Sequence, residues 1–122
     1  MAKIERFEDI QAWQKARLLV KAIYDVTGKK VKLNKDWGLN EQVRRASVSV
    51  MSNIAEGFAR RGDKEFGRFL SVALGSAAEV QSQLYVALDQ GYIAQKEFEE
   101  LYDITSETAR LINGFLRYLK NH

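Results

Sequence analysis

Phe66, Leu70, Ala73, Ala77, Val80, Leu84 and Ala87 follow one another at alternating steps of four and three residues. That is the spacing of a heptad seam, which lines seven side chains along one edge of a helix. It predicts a helix over residues 64–90, with Asp63 as its N-cap and Gly91 closing it. Phe98, Leu101, Thr105, Thr108, Ile112, Phe115 and Leu119 keep the same register and predict a helix over residues 94–119. Phe7, Ile10, Leu18 and Ile23, with Trp13, Val20 and Tyr24, mark a helix over residues 7–26 that Gly28 ends. A further helix is predicted over residues 39–60, with Gly62 as punctuation. No segment sustains two-residue alternation between turn signals, and the "SVSV" of residues 47–50 lies inside a longer helical pattern. Four helices with short connections predict an all-α fold, an antiparallel up-and-down four-helix bundle. The longest connection, residues 27–38, reads as a basic loop that either spans one bundle end or is mobile.

The helix over residues 39–60 has more than one apolar stripe. On a wheel of 100° per residue, Leu39, Val43, Ala46, Val50, Ile54 and Gly57 share one face, with Asn53 at its edge. Nearly opposite runs a narrow strip of Val48, Ala55 and Ala59. Gln42, Arg45, Ser49, Ser52, Glu56 and Arg60 lie between, with Glu56 and Arg60 at pairing distance along the helix. The next helix repeats the theme: opposite its seam stand Ser71, Gly75, Ala78 and Ser82. A solvated face is normally rich in Glu and Lys, and Gly75 costs about 1 kcal/mol of helix propensity relative to Ala. One core cannot use both faces, so Val48, Ser52, Ala55, Ala59, Ser71, Gly75, Ala78 and Ser82 are the expected contacts of a homo-oligomer.

Charge adds a second clue. The net charge of +3 over 122 residues is modest but unevenly spread. Residues 28–70 hold ten basic side chains against five acidic ones, whereas residues 71–122 hold four against seven. A basic centre beside an acidic third suits a polyanion. Arg44, Arg45, Arg60, Arg61, Lys64 and Arg68 are the candidate nucleic-acid-binding residues, placed to meet phosphate rather than base sequence. Trp37 and Phe58 are the aromatic residues near enough to stack on bases, but both read as packing residues.

Signals for chemistry are sparse. There is no Cys and no Pro, and the one His is the terminal His122. Disulfides and Cys/His zinc sites are excluded. "GFARRGDK", from Gly57 to Lys64, superficially resembles a phosphate-binding loop but lacks the Gly-Lys-Ser/Thr ending and a preceding strand. Glu56 and Glu79 read as partners of arginine rather than as metal ligands. No apolar run reaches the roughly 20 residues that span a bilayer, and the N-terminus lacks the apolar stretch of a secretory signal. The expectations are no enzyme activity, no cofactor, no metal, no membrane and a cytoplasmic location.

"FEDIQAWQKARLLVKAIYDVT", "WGLNEQVRRASVSVMSNIAEGFARR" and "EFGRFLSVALGSAAEVQSQL" together resemble the 23S rRNA intervening-sequence proteins, a family of four-helix bundles. The shared motif falls on Gly38, Leu39, Gln42, Arg44, Arg45, Ala46, Ser49, Ser52, Asn53, Ile54, Ala55, Glu56 and Gly57. The resemblance implies a ring-like homopentamer. It extends to the accessory protein of diversity-generating retroelements, a basic pentamer associated with reverse transcriptase and nucleic acid. Two departures stand out: Met51 replaces a common Pro, and "KKVKLNK" replaces an aromatic-Pro pair. They predict a straighter second helix and a more variable loop. The expected function is a non-enzymatic, oligomeric four-helix bundle that binds RNA, DNA or a ribonucleoprotein, with a nucleic-acid-processing protein as a further partner. The alternative is an oligomeric scaffold or adaptor for a protein partner, with no role for nucleic acid.

Overall fold

A computed structural model describes residues 3–121; the terminal His122 lies outside the described residues. After a 3-10 turn at Phe7–Asp9 come five helices: α1 (Gln11–Lys29), α2 (Val31–Lys35), α3 (Trp37–Ala59), α4 (Asp63–Asp89) and α5 (Gln95–Lys120). The described residues contain no strand. α1 packs on α3 and α5, α4 packs on α3 and α5, and the α3–α4 contact is the most extensive.

The predicted stripes of α3 and α4 are the buried ones. Leu39, Val43, Ala46, Val50, Ile54 and Gly57 are buried on α3, and all seven seam positions are buried on α4. On α5 the stripe is buried from Phe98 to Ile112, while Phe115 and Leu119 are half-buried. Thr105 and Thr108 fit this apolar stripe because their hydroxyls donate back to the carbonyls of Leu101 and Ile104, at 2.7 and 2.8 Å.

α1 departs from the expected register. Its buried stripe is Ala12, Ala16, Leu19, Ile23 and Thr27, whereas Leu18 and Tyr24 are 55% and 44% exposed. The small Ala12 and Ala16 let α1 approach its neighbours, and the larger apolar residues fall on its outer side. The chain also breaks at Ile10, in extended conformation, so Phe7 belongs to the 3-10 turn rather than to α1.

The basic connection is not a variable loop. Its middle forms α2, whose Leu33 is buried in the core. Thr27 is the hub that fixes it. Its carbonyl accepts from Asn34 Nδ2 at 3.3 Å and from Asn40 Nδ2 at 3.2 Å, tying α1 to α2 and α3. Asp36 caps α3 by accepting from the Leu39 N–H at 3.2 Å, and its other oxygen accepts from the Tyr92 hydroxyl at 3.0 Å. That bond holds the Tyr92 phenol above its ordinary pKa. Lys30 reaches Glu97 at 2.9 Å, where Glu97 also accepts from the Ala94 N–H at 2.8 Å; these two donors lower its pKa, the backbone bond most.

α3 turns into α4 over three residues. Gly57 allows the close approach, because a Cβ there would lie 2.7 Å from Phe69 Cβ and 2.9 Å from Phe66 Cδ1. Gly62, not Asp63, is the α4 N-cap residue, which puts Asp63 and Glu65 in the first turn, where the helix dipole favours acids.

Candidate nucleic-acid interface

The six candidate cations fall into two groups, one in the first half of α3 and one at its C-terminal end. Arg45 and Arg60 are fifteen residues apart, about 22 Å of helical rise. The α3–α4 turn brings four of the six together. Arg60, Arg61, Lys64 and Arg68 are all exposed there. Phe69 organises two of them: the Arg60 and Arg68 guanidinium carbons lie 5.1 and 5.9 Å from the centre of its ring. Sharing one ring holds two like charges on one surface, an arrangement each would otherwise oppose. Arg68 also meets Glu65 at 3.3 Å, an exposed pair worth little in water. Arg61 adopts φ +60, in the left-handed region that suits few side chains. Lys64 makes no ion pair with any described residue. Beside this cluster opens a cleft of about 540 Å³, floored by Phe58, Phe66 and Phe115 and rimmed by Lys3 and Arg61.

The other pair is split. Arg44 is turned into the fold: its Nε donates to Thr27 Oγ1 at 2.7 Å and its guanidinium lies 4.3 Å from the centre of the Tyr24 ring. Arg45, one residue on, faces water and pairs with Glu41. Arg44 therefore clamps α1 to α3, and Arg45 alone of the two is available to a partner. Neither Phe69 nor Thr27 stood out in the sequence. Phe69 lies off the α4 seam, and Thr27 is seventeen residues from Arg44.

Two expectations need correction. Trp37 does not pack; it is 81% exposed. The α3 core stripe begins at Leu39, and a residue two positions earlier sits about 200° round the wheel, away from the core. Phe58 does pack, with its ring 6.0 Å from that of Phe66. Glu56 and Glu79 do not meet arginine. Arg60 is held over Phe69 instead of Glu56, and Glu79 accepts from Gln83 Nε2 at 3.1 Å.

The small-residue positions divide by helix. Ser71, Gly75, Ala78 and Ser82 are all exposed on α4 or nearly so, and nothing lies within 4 Å of a Cβ built on Gly75. On α3, Ser52 and Ala59 are exposed while Val48 and Ala55 are half-buried. The polar strip of α3 is used within the fold. Ser49 Oγ meets Ser76 Oγ of α4 at 2.8 Å, and Asn53 Nδ2 donates to the Ser49 carbonyl at 2.8 Å. Among the described residues, no group of three or more His, Cys, Asp or Glu could hold a metal ion. No helix there is long and apolar enough to cross a membrane.

These features define an all-helical protein with a basic, aromatic-backed cluster at one helix turn and an outer face on α4 that is nearly free of charge. Residues 8–114 match the family described as 23S rRNA-intervening sequence protein, and the chain belongs to that family. Among solved structures it is similar to a protein of unknown function from the S23 ribosomal protein family of Bacteroides thetaiotaomicron VPI-5482. The two share 21% sequence identity at a TM-score of 0.80, over 86% of this chain and 97% of the other. That likeness is one of fold. No curated protein matches the chain.

Proposed function

We propose that this chain is a non-enzymatic, oligomeric four-helix bundle that binds nucleic acid, alone or in a ribonucleoprotein, through a basic surface repeated around the assembly. The observation that carries this reading is the gathering of Arg60, Arg61, Lys64 and Arg68 at one exposed turn, two of them against one aromatic ring.

The long helices α1, α3, α4 and α5 form an antiparallel up-and-down bundle. Support comes from the two halves of the core. Leu19 and Ile23, late in α1, share a cluster with Leu39 and Val43, early in α3. Val80 and Leu84, late in α4, and Phe98 and Leu101, early in α5, join the same cluster. The opposite halves of all four helices share the other cluster.

Self-association uses the outer face of α4. Its exposed residues between Arg68 and Asp89 include Ser71, Val72, Gly75, Ala78, Ser82 and Val86, with Glu79 as the one charge. The exposed face of α5, by contrast, carries Lys96, Glu99, Glu100, Asp103, Glu107 and Arg110. Solubility favours the second composition on a face left in water, and contact with another copy favours the first. The family resemblance makes a pentamer the expected assembly and a nucleic-acid-processing protein a further partner, in the cytoplasm and with no cofactor.

A filter-binding salt titration on structured RNA tests this, with the mass of the protein measured by light scattering. Binding should weaken linearly in log–log form, and replacing Arg60 and Arg61 by Gln should flatten the slope by roughly 1 for each phosphate the protein no longer neutralises. No binding at low salt by an assembled protein would overturn the nucleic-acid reading and leave the scaffold alternative. A monomer at micromolar concentration would overturn the assembly.

A further inference from the structure

We propose that Trp37 is a stacking platform for unpaired bases, so that the nucleic acid this protein binds is single-stranded where it meets the α2–α3 corner, with Lys32 and Lys35 holding the adjoining phosphates. This rests on the nucleic-acid reading above and names the form of nucleic acid that reading leaves open.

Trp37 is the most exposed of the large apolar side chains, at 81%. It is the first residue of a 23-residue helix, so its backbone does not move with a loop. The preceding Asp36 is fixed by two hydrogen bonds, from the Leu39 N–H and the Tyr92 hydroxyl. The following Gly38 has no side chain to shield the indole, and a Cβ there would come no nearer than 3.9 Å to its closest neighbour, Asp36 Oδ1. An open indole on a fixed backbone has only its own two side-chain torsions left to order, which favours affinity from stacking.

The charge around it is positive and unspent. Lys32 and Lys35 lie close to Trp37 along the chain, and neither makes an ion pair with a described residue; Lys29 lines a cleft with Asp25, Glu97 and Glu100 instead. Lys30, the fourth lysine of the segment, is taken by Glu97. Lys32 and Lys35 are three apart on α2 and share a face. The nearby acids Asp36 and Glu41 already have partners, Tyr92 and Arg45. Cations that track a backbone beside an aromatic ring are the elements of single-strand binding. A duplex keeps its base faces stacked inside and offers nothing to Trp37. A lipid surface fits less well, because Val31 is the one other exposed large apolar side chain beside it and the Asp36 carboxylate precedes the ring.

Two measurements test the proposal. The first is anisotropy of a labelled short oligouridylate and of a labelled RNA duplex against the wild-type protein and W37A, which removes nothing from the core. W37A should weaken oligouridylate binding roughly 5- to 150-fold and leave duplex binding unchanged. The second uses W13F, which leaves Trp37 as the one tryptophan. Its emission should be quenched by oligouridylate, unmoved by inorganic polyphosphate, and restored when salt releases the strand. Equal oligouridylate affinity for wild type and W37A, or quenching by duplex and polyphosphate alike, overturns the platform and leaves the general nucleic-acid reading standing. Failure of both RNAs to bind overturns both. A blue shift on phosphatidylserine vesicles without any response to oligouridylate overturns it in favour of a membrane surface.

Discussion

Replacing Gly57 by Ala should destabilise the fold outright, whereas the effect of the same change at Gly75 depends on what covers α4, although both glycines lie inside long helices. At Gly57 the new Cβ would stand 2.7 Å from Phe69 Cβ, 2.9 Å from Phe66 Cδ1 and 3.3 Å from the Phe66 carbonyl. Carbon atoms pack at about 3.5–4.0 Å, so the first contact is short by roughly 1 Å. Phe69 Cβ is fixed to the α4 backbone and cannot swing aside, so α3 and α4 must part. Overpacking of this kind costs about 1–3 kcal/mol, and the double clash argues for the upper end. The gain in helix propensity offsets about 1 kcal/mol. G57A should therefore lose about 2 kcal/mol, or roughly 8 °C in Tm for a chain of this size. Thermal unfolding followed by far-ultraviolet circular dichroism reads it directly.

Gly75 has nothing within 4 Å of a built Cβ. With α4 facing water there, G75A should gain about 1 kcal/mol, roughly 4 °C. With another copy packed against that face, the added methyl meets a neighbour, and the gain disappears or reverses. Tm then also rises with protein concentration. Stabilisation by G75A at every concentration would refute a subunit contact at Gly75. A G57A protein as stable as wild type would refute the close approach of α3 to α4.

Arg44→Ala should cost about 2 kcal/mol in denaturant unfolding, because it removes a charged hydrogen bond to Thr27 and the stacking on Tyr24; Arg45→Ala should cost under about 0.5 kcal/mol and should lower the salt slope of RNA binding instead. Gln83 Oε1 is buried without a hydrogen-bond partner, so Gln83→Met should raise stability in denaturant by about 1 kcal/mol in spite of losing the bond to Glu79. Stability should fall at both extremes of pH. Glu97 has a lowered folded pKa, so its contribution is present above the ordinary carboxylate range and is lost as pH falls through that lowered value. Tyr92 has a raised folded pKa, so its bond to Asp36 contributes below the ordinary phenol range and is lost as pH rises through the raised value; Glu97→Gln and Tyr92→Phe should each flatten the corresponding limb of a pH–stability profile.

Where the sequence was legible, one physical property decided burial. On α3, α4 and α5 the residues of the core stripe are mostly the apolar ones, so periodicity and burial coincide. On α1 they part company. The helix gives its inner side to Ala12, Ala16 and Thr27 and its outer side to Leu18 and Tyr24. Tyr24 is kept there by the guanidinium of Arg44, a contact that hydropathy alone does not signal. α2 was hidden for a related reason. Its sequence, VKLNK, has the composition of a solvated loop, and one buried leucine with bonds to Thr27 and Tyr92, the latter through the neighbouring Asp36, makes it a helix. Tyr92 is distant along the chain, and the core that receives Leu33 draws on all four long helices, so local propensity was overridden by tertiary contacts.

The candidate site divides along the same line. Arg60, Arg61, Lys64 and Arg68 are close in sequence around a single turn, and a turn exposes what it carries. Their clustering needed only chain proximity to be seen. Arg44 and Arg45 are closer still, yet 100° of helix rotation separates them, and that angle sends one toward Tyr24 and the other into water. Two such steps back from Leu39, about 200°, take Trp37 off the core and expose it. Adjacent charges on a helix are therefore not a patch until the wheel puts them on one side, and an aromatic residue beside a core stripe is not core. In this chain the two basic pairs of the "RRASVSVMSNIAEGFARR" segment consequently have different surroundings: the first splits between holding α1 in place and facing water, and the second is exposed with Lys64 and Arg68 at one turn.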